Sequence, residues 1–265
     1  MKDRIISHLP PDFPWGESLY YYPVIDSTNT HLKALCKNGS PHGTCVIAGS
    51  QTAGRGRLGR QFYSPEGMGV YLSLLLRPMC PADALMHLTC AVGVAMCKAV
   101  ETCAGICPQL KWPNDLVYQN KKLGGILTEL TFDCHGNVDG VILGVGINCC
   151  GTPEDFPPEL REIATSLSCC VAKPVSADAL AAAMVAALWE LDGQLFTQKE
   201  ALMTQYRSQC ITLGKEVSLL REGKTLTAVA VDVDAQGSLQ IRLPSGQIQT
   251  VSSGEVSVRG LYGYL

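Results

Sequence analysis

Between Gly54 and Arg60 the chain reads GRGRLGR, with Gln51-Thr52-Ala53 ahead of it. Arg55, Arg57 and Arg60 carry planar fork donors that match phosphate or carboxylate oxygens in pairs, and Gly54, Gly56 and Gly59 let a backbone come close to such a ligand. A loop of this kind can clamp an anion and close over it. The spacing also fits G-x-G-x-x-G, but a dinucleotide fingerprint opens a helix, and the residues after this loop pattern as a strand. No Gly-Lys-Ser/Thr follows either, so the loop is not a Walker P-loop.

A second group is Lys111-Trp112-Pro113-Asn114-Asp115, followed by Lys122-Leu123-Gly124-Gly125-Ile126-Leu127. Pro113 fixes a bend after Trp112, and Asn114 and Asp115 can turn polar side chains toward a pocket, where a carboxylate holds Mg²⁺ or a hydroxyl. Lys122 opens the next strand, and the glycines behind it leave room for a flat ligand against a sheet. A third piece, Gly144-Val145-Gly146-Ile147-Asn148, ends a glycine-interrupted strand with an amide. Taken singly, these pieces serve equally as turns, strand ends or surface lysines.

Positioning such groups takes a framework, and the hydrophobic pattern supplies one. A short helix is expected over Asn29–Lys37, entered through Asp26-Ser27-Thr28 and stopped at Asn38-Gly39. Cys45–Ala48 reads as a buried strand that delivers the chain to the arginine loop, and Gly69–Leu76 as the strand beyond it. Pro81–Thr102 reads as a long, weakly charged helix packed on a sheet. Leu116–Tyr118, Lys122–Phe132 and Val138–Ile147 read as strands joined by hairpin turns at 119–121 and 133–137. Ser176 caps a helix through Ala179 to Phe196, and a shorter one runs to Cys210.

The expected fold class is therefore α+β, with a mixed or antiparallel central sheet and helices on one side. From Leu213 the pattern changes to five short strands, Glu216–Leu219, Leu226–Val233, Ser238–Leu243, Gln247–Val251 and Val256–Val258, around turns at 222–224, 235–237 and 244–246. That spacing predicts a small barrel, and two domains, 1–212 and 213–265.

Composition narrows the function classes. Of the 265 residues 46% are hydrophobic and 17% charged, which suits a folded protein, and a net charge of -3 excludes a general polyanion binder. The thirteen cysteines form no Cys-x-x-Cys and stand near no histidine at zinc-ligand spacing, so they read as free thiols of a reducing compartment, and no metal ligands can be named. The first 23 residues mix charges with prolines and hold no apolar signal core, and Val70–Leu76 falls well short of the roughly 20 residues of a membrane helix. A soluble, cytoplasmic protein without membrane partners is expected.

Four motifs in one order, QTAGRGRLGR at 51–60, KWPND at 111–115, KLGGIL at 122–127 and GVGIN at 144–148, resemble those of the biotin protein ligases from about Val24 to the C-terminus. The resemblance implies a synthetase-like catalytic domain followed by an SH3-like domain. It implies that biotin attacks ATP to give biotinyl-5′-AMP, with Mg²⁺, and that the biotinyl group then passes to a lysine of a biotin carboxyl carrier domain. By the same carry-over Ser27, Thr28 and Gln51 bond the ureido ring, and Gly54 and Gly125 give close backbone approach. Arg55, Arg57 and Arg60 meet the phosphates, with Arg57 the chief guard of the intermediate. Lys122 stands between carboxylate and α-phosphate, Asn114 and Asp115 serve the phosphate, metal and acceptor side, Lys111 helps, and Asn148 faces adenine.

No aromatic follows in Glu162–Leu167 to cover that base. Fewer than 30 residues precede Asp26, so a ligase without a DNA-binding winged helix is expected. A homodimer built through the central sheet is within the family's range. A lipoate or octanoyl ligase would share the fold, but the Ser27/Thr28/Gln51 set suits a polar head and not a long apolar slot.

Overall fold

The computed structural model describes residues 1–221, 224–252 and 257–260. The first part of the chain forms α1 (Lys2–Ser7), β1 (Leu19–Ile25), α2 (Thr28–Lys37), β2 (Cys45–Gln51), β3 (Gly69–Leu76), α3 (Leu88–Ala104), β4 (Gln109–Lys111), β5 (Asp115–Tyr118), β6 (Lys121–Phe132) and β7 (Val138–Asn148). It continues through α4 (Leu167–Cys170), α5 (Ala177–Gln194) and α6 (Lys199–Gln209). The seven strands make one sheet in the order β1-β2-β3-β7-β6-β5-β4, parallel between β1 and β2 and antiparallel elsewhere.

The period-two alternation of strand side chains sorts the residues by face. Cys45, Ile47, Leu72, Leu74, Val141 and Leu143 join the large core under α3, α5 and α6. Val46, Leu75 and Ile142 face the other way, against Leu32 and Cys36 of α2. The long helices thus share one side of the mixed sheet, as the fold class anticipates, and short α2 alone occupies the other. Ser73, Gly144, Gly146 and Glu129 alternate onto this α2 face, where most of the chemistry collects.

The expected 81–102 helix begins instead with a short 3-10 turn, Ala82–Leu85, and becomes regular only at Leu88. By length and apolarity Ala82–Ala104 is the one helical run among the described residues that suffices to cross a bilayer, yet 72% of its apolar window is buried inside the fold. The β5–β6 turn is tight. Gln119 (φ 48°) and Asn120 (φ 62°) are both left-handed between the paired Tyr118 and Lys121, the geometry of a two-residue type I′ hairpin. Ser176 Oγ accepts from the Ala179 N–H at the start of α5, as a helix cap should.

The rest of the chain supplies β8 (Glu216–Arg221), β9 (Lys224–Val233), β10 (Leu239–Arg242), β11 (Ile248–Val251) and β12 (Ser257–Gly260), an antiparallel sheet in the order β11-β10-β9-β8-β12. This is the SH3-like unit. The expected turn residues Glu222 and Gly223, and Val256 of the last expected strand, lie outside the described residues. The end of β9 and the β9–β10 turn dock against the first part of the chain: Trp112, just after β4, donates from Nε1 to the Gly237 carbonyl at 2.9 Å, and Arg207 of α6 donates from Nε to the Val233 carbonyl at 2.6 Å. All thirteen cysteines are free thiols.

Candidate active site

The N-terminus of α2 opens the site. Ser27 is the cap, in extended conformation, with its own N–H held by Asp26 Oδ1 at 2.7 Å. Thr28 donates from its backbone N–H to Gln51 Oε1 at 2.8 Å, and Gln51 Nε2 donates to Ser64 Oγ at 3.0 Å, which locks the glutamine amide. Behind Thr28, Ser73 Oγ lies 2.7 Å from Thr28 Oγ1 and donates to Asn29 Oδ1 at 2.6 Å. Asn29 Nδ2 in turn donates to Glu129 Oε2 at 2.8 Å. These are buried polar groups with partners, the condition under which burial of such groups is affordable.

The glycines of β7 make this arrangement possible. A β-carbon on Gly144 would lie 2.1 Å from Asn29 Oδ1, and one on Gly146 would lie 2.5 Å from the Phe62 ring. The amide of Asn29 and the ring of Phe62 therefore rest directly on the strand backbone.

The arginine segment is a hairpin. Phe62 N–H donates to the Gly54 carbonyl at 3.0 Å, Gly56 N–H to the Arg60 carbonyl at 2.7 Å, and Leu58 at its tip is left-handed (φ 55°) and exposed. A left-handed leucine is uncommon and marks a tip held by its surroundings. Arg55 pairs with Glu129 Oε1 at 3.2 Å. Arg57 is half-buried near Asn114 Oδ1 (3.5 Å); burial pulls its pKa down, Asp115 pushes it back up, and neighbouring Arg60 lowers it.

Opposite the hairpin, Asn114 Nδ2 donates to the Ile126 carbonyl at 2.8 Å, and Lys122 Nζ meets Asp115 Oδ1 at 2.6 Å. The backbone of Lys122 is gripped as well: its N–H donates to the Ile163 carbonyl at 2.7 Å, and its carbonyl accepts from Thr165 at 2.9 Å.

Ser27, Thr28, Gln51, Arg55, Arg57, Arg60, Asn114, Asp115, Lys122 and Gly125 line one cleft of about 130 Å³. It presents four cationic side chains against one carboxylate, Asp115. Asn148 is not in that cleft. It lines an adjoining, mostly apolar cavity of about 100 Å³ with Phe62, Tyr63, Phe156 and Ile163, and Lys122 borders both spaces. Its Nδ2 donates to the Thr165 carbonyl at 2.9 Å.

Two sequence expectations need correction. Gly54 lines neither space: a β-carbon there would meet the Phe62 carbonyl at 2.4 Å, so it closes the hairpin. Lys111 is buried on β4, outside the cleft. Aromatic side chains, absent from 162–167, reach the Asn148 cavity as Phe62, Tyr63 and Phe156. Asn29, Ser73 and Glu129 escape sequence reading altogether. The one available signal is Glu129, the single acid of β6, on the face that alternation assigns to α2.

Fold and cleft together describe a class: a mixed sheet with an anion-clamping hairpin, followed by an SH3-like unit. A family model described as the biotin/lipoate A/B protein ligase family matches residues 21–148, and one described as the biotin protein ligase C terminal domain matches 212–259. The Mycobacterium tuberculosis biotin--[acetyl-CoA-carboxylase] ligase is 33% identical over 239 residues, 87% of this chain and 85% of that protein. The Bacillus subtilis bifunctional ligase/repressor BirA is 46% identical over 153 residues, 58% of this chain, and the match spans about half (47%) of that protein's length. The solved biotin protein ligase from Aquifex aeolicus in complex with biotin and ATP superposes with a TM-score of 0.77 at 32% identity, covering 91% of this chain and 98% of that one. The chain belongs to the biotin protein ligase family.

Proposed function

We propose that this chain joins biotin to ATP, releasing pyrophosphate and forming biotinyl-5′-AMP, and then transfers the biotinyl group to a lysine amine of a biotin carboxyl carrier domain, releasing AMP. The observation that carries this reading is Lys122, which borders the polar, cationic cleft on one side and the aromatic cavity on the other. Biotin in the cleft and adenine in the cavity would bring carboxylate and α-phosphate together beside its ammonium, where charge develops as nucleophile and leaving group exchange.

Ser27, Thr28 and Gln51 would hold the ureido head, with Gly125 admitting the ring system. Arg55, Arg57 and Arg60 would neutralise phosphate charge and cover the mixed anhydride against water. Phe62 and Phe156 would flank adenine, with Asn148 at its edge. In the second half-reaction the lysine nitrogen forms the amide bond as the carbonyl–phosphate oxygen bond breaks and AMP leaves; Asp115, the one carboxylate in the cleft lining, would take the amine's proton.

Mg²⁺ fits this donor set only alongside the nucleotide. Asp115 is the sole acid in the cleft lining, and the described residues hold no group of three metal-ligating side chains. Such a site suits an ion that arrives on phosphates and keeps its waters, offsetting phosphate charge.

We assign residues 213–265 to a separate domain and the thirteen free thiols to the cytoplasm. A homodimer would find an open backbone edge on β6, which β5 pairs only as far as Gly125.

The test is biotin-dependent exchange of labelled pyrophosphate into ATP with Mg²⁺, repeated with lipoate. Exchange driven by biotin and not by lipoate supports the reading, and a folded sample that exchanges with neither acid overturns it.

A further inference from the structure

The three hairpin arginines are not placed alike. Arg55 stands on the first arm of the hairpin, bridged to Gln61 on the second, and its Nη2 reaches Glu129 Oε1 at 3.2 Å. Glu129 belongs to β6, so this ion pair joins the hairpin to the sheet. Gly125 and Leu127, which share a face of β6 with Glu129 by alternation, line the cleft. Glu129 lies just past them, beyond the stretch of β6 that β5 pairs.

Distance along that strand separates what the arginines can do. A β-carbon on Gly125 would lie 3.4 Å from Lys122 Nζ and 3.5 Å from Asp115 Oδ1, which puts the Lys122–Asp115 pair beside Gly125. Glu129 stands four residues further on, about 13 Å at roughly 3.3 Å per residue. An arginine pinned to its carboxylate therefore covers the end of the cleft away from a phosphate at Lys122. Arg57 points the other way, with Nη1 3.5 Å from Asn114 Oδ1, next to Asp115.

The carboxylate is anchored independently of the hairpin. Asn29 Nδ2 donates to Oε2 at 2.8 Å and Lys33 Nζ to Oε1 at 2.6 Å, both from α2. Burial alone would raise the pKa of Glu129, but hydrogen bonds from Lys33 and Asn29 and the charges of Lys33 and Arg55 bring it below the ordinary range, so it meets Arg55 ionised.

We propose that Arg55 and Glu129 form a latch: Glu129 is a positioning residue that pins the hairpin across the cleft and slows the escape of the acid bound beneath it, while phosphate charge falls to Arg57 and Arg60. This rests on the biotin reading above and divides the work it gives to the three arginines.

The experiment measures release of labelled biotin into an unlabelled chase, without ATP, for wild type, Arg55→Gln, Glu129→Gln, the double variant and Lys33→Ala. Trypsin cleavage after Arg57 and Arg60 in the ligand-free chains, and melting temperatures, are taken alongside. Each single latch variant should release biotin about tenfold faster, the scale of one charge-assisted hydrogen bond, and should be cut sooner. The double variant should exceed the singles by no more than about twofold, because the second substitution removes a group that has already lost its partner. Lys33→Ala leaves both latch residues in place and should stay within about twofold of wild type. In pyrophosphate exchange the ATP KM should rise less in Arg55→Gln than in Arg57→Gln.

Release rates that multiply in the double variant, or an Arg55→Gln chain with wild-type release and trypsin resistance, overturn the latch and leave the ligase reading standing. So does an equal gain in Lys33→Ala, which marks general loosening. An ATP KM raised as far by Arg55→Gln as by Arg57→Gln puts Arg55 on the phosphate and overturns the division. A wild-type chain that binds no biotin overturns the ligase reading, and the latch is then decided by trypsin cleavage, which needs no ligand.

Discussion

Lys122 Nζ and Asp115 Oδ1 stand 2.6 Å apart, lysine on β6 and aspartate on β5, both lining the cleft, with Lys122 also bordering the aromatic cavity. Neither is deeply buried, so the pair orients the ammonium more than it stabilises the fold. Lys122→Ala should lower biotin-dependent pyrophosphate exchange by about 10²–10³, as loss of one preorganised charge donor does, and leave the urea midpoint nearly unchanged. Unaltered exchange would remove Lys122 from the chemistry.

The hairpin brings Arg57 Nη1 within 3.5 Å of Asn114 Oδ1, across the cleft. If Arg57 holds the adenylate's phosphate as proposed, Arg57→Gly should keep adenylation but release biotinyl-5′-AMP into solution, because the hairpin loses that cation. Mixing the variant with an unrelated lysine-rich protein and blotting for biotin checks this. Labelling no greater than with wild type contradicts it.

Glu129 also bears on acid stability. Its folded-state pKa is depressed, so its contribution is complete above the ordinary glutamate range, about 4.3, and disappears as pH falls through the lower folded value. The stability difference between wild type and Glu129→Gln should be largest at neutral pH and shrink below about pH 4. Urea unfolding across that range measures it, and a difference constant with pH would refute the linkage.

Trp112 is the largest fully buried side chain, and its indole N–H is the tie to Gly237. Trp112→Phe keeps most of the volume and leaves the Gly237 carbonyl unpaired, at a cost of about 1–3 kcal/mol. Urea denaturation reads this directly. A loss below about 0.5 kcal/mol would mean that water replaces the bond.

Much of this site is legible in the sequence because its residue types are unusual where they stand. Three arginines among glycines, and a lysine opening a Gly-Gly strand, are poor choices for a core and good ones for an anion. The central strands and the helices from α3 onward follow from hydrophobic period. β1 does not, since Tyr20 and Val24 leave it exposed and Pro23 interrupts it, and it is held by parallel pairing with β2. β4 is too short to show a period. The hydrogen bond between Asn29 and Glu129 is invisible for another reason: the two are a hundred positions apart, and the packing of α2 on β3 and β7, with β6 paired to β7, places them together.

The Gly237 turn packs against the helix layer so closely that a β-carbon there would lie 3.1 Å from Cys90 Sγ and 3.3 Å from the Met86 carbonyl, and its own carbonyl accepts from Trp112. Ribosomal synthesis proceeds from the N-terminus, so every residue of the ligand cleft is made well before the turn that seals the helix layer behind it. A nascent chain halted short of residue 237 would carry a complete set of binding side chains on a frame still open to water at Trp112.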